Sequence, residues 1–164
     1  MMTGAGEIIA AAIEFERFGK EFYMRFHDLV GDPKAKALMK GLANDEQEHA
    51  LLLAKELEAL GEAAYSEPSK EVVEKGLEKI FPHSTLKDSI QTKDAISAIK
   101  LGMDTERRSI DFYLQHAKSS AGSLKTVFED LVKMERNHLA LLEENLEHLQ
   151  QDGVWYGYVP ILEG

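Results

Sequence analysis

Apolar side chains return every three or four residues along most of this chain, the spacing of an amphipathic helix and not of a strand. The stripe Ile9, Ile13, Glu16, Tyr23, Phe26 predicts a first helix from about Gly4 to Leu29, with one acidic member on its apolar side. Gly31-Asp32-Pro33 then reads as a tight stop and restart, Asp32 capping the next helix and Pro33 opening it. The second helix runs to about Leu60, where Gly61 ends it. So short a connection makes the two helices an antiparallel hairpin. A third helix is expected from about Thr92 to Lys118, a turn over residues 119–123, and a fourth helix to about Asp152 with Gly153 as its stop. Between them, residues 62–92 carry no long regular pattern. Pro68 and Pro82 bracket a short helix expected over residues 69–81, with Val72, Val73, Leu77 and Ile80 inward. The tail, residues 153–164, holds Trp155, Tyr156, Tyr158 and Pro160 and is expected to pack on the bundle or on a partner subunit.

The two halves repeat. A shift of 90 positions carries Ile9 onto Ile99, Glu16 onto Glu106, Phe22 onto Phe112 and Tyr23 onto Tyr113. A shift of 89 carries Leu42 onto Leu131, Glu46 onto Glu135, His49 onto His138 and Leu53 onto Leu142. The chain therefore reads as an all-α protein: two related helix hairpins joined by a long crossover at about residues 62–92. Residues 1–152 then form a single four-helix bundle with a pseudo-twofold axis.

Composition agrees. Leu, Glu, Ala and Lys supply 71 of 164 residues while Val supplies 7, which favours helix over strand. The formal charge of −10 argues against nucleic-acid binding, since phosphate neutralisation needs a basic face. No cysteine is present, so disulfides, thiolate-bound zinc, iron–sulfur clusters and thiol nucleophiles within the chain are excluded. The most apolar early run, Ile8 to Ile13, is six residues long and flanked by Glu7 and Glu14, too short for a signal-peptide core or a membrane span. A soluble, cytoplasmic protein with no membrane partner is expected.

The repeat isolates the candidate chemistry. Glu46 with His49, and Glu135 with His138, are Glu-x-x-His pairs, which place both side chains one turn apart on one helix face. Among 20 Glu and 6 His, roughly one such pair is expected by chance, but two at equivalent places in a repeat are not. Each pair is also preceded, at 30 and 29 residues, by Glu16 and Glu106 on the partner helix. All six groups lie in register with core positions. Unpaired carboxylates there would cost several kcal/mol each or be forced to protonate. Two divalent cations would neutralise four carboxylates, and an oxygen-rich set with two imidazoles suits iron or manganese better than structural zinc.

At these residues the chain resembles the rubrerythrin-like branch of the ferritin-like di-iron carboxylate proteins. The motifs are Glu16-x-x-Gly19-x-x-Phe22-Tyr23, Asp45-Glu46-x-x-His49, Glu106-x-x-Ser109-x-x-Phe112-Tyr113 and Glu135-x-x-His138. The resemblance implies a ferritin-like bundle holding two Fe ions per chain, with Mn or a mixed Mn/Fe pair as alternatives. It implies Glu16 and Glu106 as terminal ligands, Glu46 and Glu135 as bridges, and His49 and His138 each facing one iron. It also implies a peroxidase that reduces hydrogen peroxide or dioxygen, with ferroxidase activity or iron handling as the alternative. Two departures bear on this. Peroxide-reducing relatives carry an additional glutamate where this chain has Ser109, and many carry a rubredoxin-like domain on four cysteines. Electrons are therefore expected from an external donor protein or from ferrous iron itself. Relatives of this type also imply a homodimer.

Spacing also suggests which residues surround the ligands. Asp45 is expected to hold the distal ring nitrogen of His138. Its repeat counterpart is Met134, which makes His49 the more labile ligand. Tyr23 and Tyr113 are candidates for hydrogen bonds to ligand carboxylates or for electron supply. His27, His83, His116 and His148 lack the preceding glutamate and read as structural.

Overall fold

A computed structural model describes residues 4–61 and 92–160. These residues form four helices: α1 (Gly4–Leu29), α2 (Pro33–Ala59), α3 (Thr92–Ser119) and α4 (Gly122–Asp152), with no strand among them. The crossover and its expected short helix over residues 69–81 lie outside the described residues, as do His83 and residues 161–164.

Local chemistry sets the helix ends. The Asp32 side chain accepts from the backbone N–H of Lys34 (2.8 Å) and Ala35 (3.1 Å), and Pro33 occupies the first turn, where its missing N–H costs nothing. At the far end Gly153 adopts φ +68°, and its N–H closes the last turn on Leu149 O at 3.1 Å. The turn between α3 and α4 is tighter than the spacing suggests. Helix α4 starts at Gly122, with Ala121 as a cap that makes no side-chain hydrogen bond.

Helix α1 packs chiefly on α2, and α3 on α4, giving two hairpins that face each other across the bundle. Their apolar faces form two clusters. One gathers Phe22, Phe26, Leu38, Leu42, Ile99 and Leu142; the other gathers Ile9, Ile13, Leu53, Tyr113, Phe128 and Leu131. The six repeated glutamates and histidines are buried as well, none more than 5% exposed. Among the described residues no helix is long and apolar enough to cross a membrane.

The tail lies along the bundle. Trp155 is buried with its ring 6.1 Å from that of Phe26. Asn145, itself buried in α4, donates to Gly157 O (3.0 Å) and accepts from Gly157 N–H (2.8 Å). Gly157 takes φ +104°, a backbone that a residue with a Cβ rarely adopts.

Candidate metal centre

The helical register that builds the apolar stripes brings Glu16, Glu46, His49, Glu106, Glu135 and His138 together in the middle of the bundle. Their donor atoms fall into two overlapping groups: Glu16, Glu46, His49 and Glu135, and Glu46, Glu106, Glu135 and His138. Within each group the atoms lie within 4.8 Å of one another. Glu46 and Glu135 belong to both groups. Glycine makes room for one of them: a Cβ at Gly19 would stand 3.3 Å from Cδ of Glu46.

The imidazoles enter alike. Nδ1 of His49 is 3.2 Å from Glu16, 3.5 Å from Glu135 and 3.7 Å from Glu46. Nδ1 of His138 is 3.1 Å from Glu135, 3.2 Å from Glu46 and 3.6 Å from Glu106. The two rings stack, their centroids 5.3 Å apart and their planes 21° from parallel. Each tyrosine reaches across to the other hairpin: Tyr23 donates to Glu106 and Tyr113 donates to Glu16. The partner is thus the glutamate of the opposite half, not the one seven residues earlier on the same helix.

The buried charges redistribute protons. Burial, reinforced by the charges of Glu16 and Glu106, pushes Glu46 up to about 8. Burial and the charges of Glu46, Glu16 and Glu106 also push Glu135 well above the carboxylate range. Burial would raise Glu16 as well, but hydrogen bonds with Glu46 and His49 hold it down to about 2. Glu106 is lowered against its burial by His138. Burial opposes charging of the histidines, yet the surrounding carboxylates raise both of them. Without metal, then, the cluster keeps its charge balanced by holding protons on Glu46, Glu135 and both rings.

Two buried atoms fit a cation better than a hydrogen bond. Nδ1 of His138 and Oε2 of Glu135 face each other at 3.1 Å, yet neither has a hydrogen-bond partner. On the other ring edge, His138 Nε2 donates to Asp45 Oδ2 at 3.2 Å. With Nε2 committed to Asp45, the ring turns Nδ1 towards Glu46, Glu106 and Glu135, where loss of its proton to an incoming metal ion would free a lone pair for that ion. The donor set, four carboxylates and two imidazole nitrogens, therefore fits a pair of divalent ions.

Beside the histidines a cleft of about 590 Å³ opens between α2 and α4, lined among others by Asp45, Glu48, His49, Leu52, Met134 and Tyr158. Tyr158 is not legible in the sequence: its hydroxyl donates to Asp45 Oδ2 at 3.0 Å. The remaining described histidines stand apart from the cluster. His27 pairs with Asp28 (3.0 Å), His116 packs on Phe112 (4.4 Å between centroids) and His148 stacks on Tyr156 (5.0 Å). Met39 and Met103 are buried in the core, and Met134 is partly buried against it.

Fold and site together define a ferritin-like four-helix bundle with a buried carboxylate–histidine cluster at its centre. The rubrerythrin family model matches residues 7–146, and the chain belongs to that family. Two solved structures share the fold. A hypothetical protein from Pyrococcus furiosus is 21% identical, with a TM-score of 0.67 over 90% of each chain. A dodecameric thioferritin, the bacterioferritin-related protein of Bacteroides fragilis, is 18% identical with a TM-score of 0.69, over 90% of this chain and 86% of that one. No curated protein matches the sequence significantly.

Proposed function

We propose that this protein is a rubrerythrin-like di-iron oxidoreductase that reduces hydrogen peroxide or dioxygen with electrons from an external donor protein. One observation carries the reading: two overlapping donor sets share Glu46 and Glu135, and each is completed by one further glutamate and one imidazole Nδ1. Glu16 and His49 would hold one ion, Glu106 and His138 the other, with Glu46 and Glu135 bridging. Iron suits this set, and manganese or a mixed Mn/Fe pair fits the same donors. Two ferrous ions bound there would supply the two electrons that, with two protons, convert hydrogen peroxide to two waters.

The chain's own residues prepare the site for that chemistry. The Tyr23 and Tyr113 hydroxyls hold the carboxylates of Glu106 and Glu16 towards the centre. Asp45 holds the ring of His138. The two apolar clusters exclude bulk water from both ends. With no cysteine in the sequence, the chain has no thiolate-bound iron of its own to relay electrons, hence the external donor. A cytoplasmic homodimer is the proposed setting, and light scattering on the purified protein would distinguish it from a larger assembly such as the dodecamer of the thioferritin.

A second reading, ferroxidase or iron handling without sustained turnover, is favoured by Ser109. This buried residue stands where the resemblance places an additional glutamate in peroxide-reducing relatives. One experiment orders the possibilities. Protein stripped of metal, reloaded anaerobically with Fe(II) and desalted should retain about two irons per chain, and a Glu46→Ala, Glu135→Ala variant should retain none. Peroxide consumption over many cycles with added reductant supports the oxidoreductase. A single oxidation per loaded pair supports iron handling. A folded wild type that retains no iron removes both.

A further inference from the structure

The two halves of the cluster are built alike but supported differently. Behind His138, one oxygen of Asp45 accepts both the ring Nε2–H (3.2 Å) and the hydroxyl of Tyr158 (3.0 Å). Behind His49, the repeat places Met134, a side chain with no group to hold the ring, although both rings border the same cleft along with Asp45 and Tyr158. Among the described residues no hydrogen bond reaches His49 Nε2; the ring is held through Nδ1, which faces Glu16 at 3.2 Å with Glu135 and Glu46 slightly farther off. Tyr158 is not a loose surface residue. The buried Trp155 and the double hydrogen bond from Asn145 to Gly157 fix the tail just before it. The Tyr158 ring fills the space over Gly41, where a Cβ would collide with it.

Resting on the two-metal reading of the site, we propose that Tyr158 is a positioning residue for one metal position only. Through Asp45 it fixes the ring of His138, so tail docking secures the ion at the Glu106–His138 end and leaves the ion at the Glu16–His49 end exchangeable. The physical link is the shared oxygen. Asp45 is partly solvent-exposed, with 27% of its side chain accessible, and without the phenol its carboxylate is free to turn towards water. The imidazole then loses the partner that sets its orientation and raises its basicity as a ligand.

Release of Fe(II) to excess chromogenic chelator, followed anaerobically by stopped flow, tests this. Wild type should release iron in two phases of similar amplitude, and His49→Ala should leave only the slow one. Tyr158→Phe should speed the slow phase about 3–10-fold, somewhat less than loss of a group that touches the ligand directly. The fast phase should not change, and the metal-free protein should lose no more than about 1–5 °C in Tm, the cost of one lost hydrogen bond. Asp45→Ala should speed the same phase at least as much, and adding Tyr158→Phe to it should do nothing further, since the two residues act as one unit. A single phase in wild type, an unchanged slow phase in Tyr158→Phe, equal acceleration of both phases, or additive effects of the two substitutions would each overturn the proposal. A wild type that retains no iron shows itself before any variant is compared, and removes the two-metal reading instead.

Discussion

Four glutamates of the same residue type, buried to the same degree, are driven to opposite protonation states by their neighbours. Burial, reinforced by the charges of the other carboxylates, raises Glu46 to about 8 and Glu135 well above its usual range, whereas against the same burial Glu16 is held at about 2 by hydrogen bonds that need its charge. Both histidines rise as well. Glu46, Glu135 and the two rings each hold one proton that a cation would have to displace. Loading the metal-free protein at about pH 6.5 should therefore release about four protons per pair of divalent ions, with ligand deprotonation as the source. Titration of weakly buffered protein with anaerobic Fe(II), read by an indicator dye, measures the count. The yield should fall as the pH passes about 8, where Glu46 has already lost its proton. Release of only about two protons or fewer at that pH would mean that the carboxylates give up none, the two rings being the source, and Glu46 and Glu135 would then be ionised already in the metal-free fold.

Helices α1 to α4 announce themselves by apolar spacing, and the repeat that aligns Glu16 with Glu106 and His49 with His138 makes the central cluster legible from the chain alone. The tail is another matter. Val154, Trp155, Tyr156 and Tyr158 carry no helical period, and an extended segment takes its partners from whatever surface it lies on. Nothing local to Tyr158 therefore points to Asp45, 113 residues away. The crossed tyrosine bonds are half legible. Spacing puts Tyr23 and Tyr113 on the site-facing side of their helices, but only the packing of one hairpin against the other decides that each reaches the opposite glutamate. Gly41 links the tail to α2, since its missing side chain is the space the Tyr158 ring occupies. Gly41→Ala should accordingly push Tyr158 off Asp45 and destabilise the protein by about 1–3 kcal/mol, the usual cost of overpacking. Helix propensity alone would predict the reverse, because alanine is the better helix former. Urea melts give the sign, and limited proteolysis near Trp155 reports whether the tail has lifted.

Across the whole molecule the polar cluster and the two apolar clusters pull in different directions. Burying six ionisable groups is tolerable without metal only because protons balance the charge, and that balance depends on pH. Glu46 carries a proton in the fold up to about pH 8 that the unfolded chain sheds near 4.5, so its contribution is complete below about 4.5 and is lost as pH rises through 8. Glu135 and the raised histidines act in the same direction. Glu16 acts in the opposite one: its contribution is present above 4.5 and is lost as pH falls towards 2. Metal-free protein should therefore be most stable in mild acid and weaken steadily from about pH 6 to 8. Bound cations replace those protons, so the loaded protein should not share the decline. Saturation at a hundred times Kd contributes about 2.7 kcal/mol, which for a domain of this size raises Tm by about 5–10 °C. Calorimetry of loaded and chelator-stripped samples should show that difference near pH 7, widening from pH 6 to pH 8. Coincident melting curves across that range would mean that the cluster holds itself together on protons alone, and the glutamates and histidines would then be a structural core rather than a metal centre.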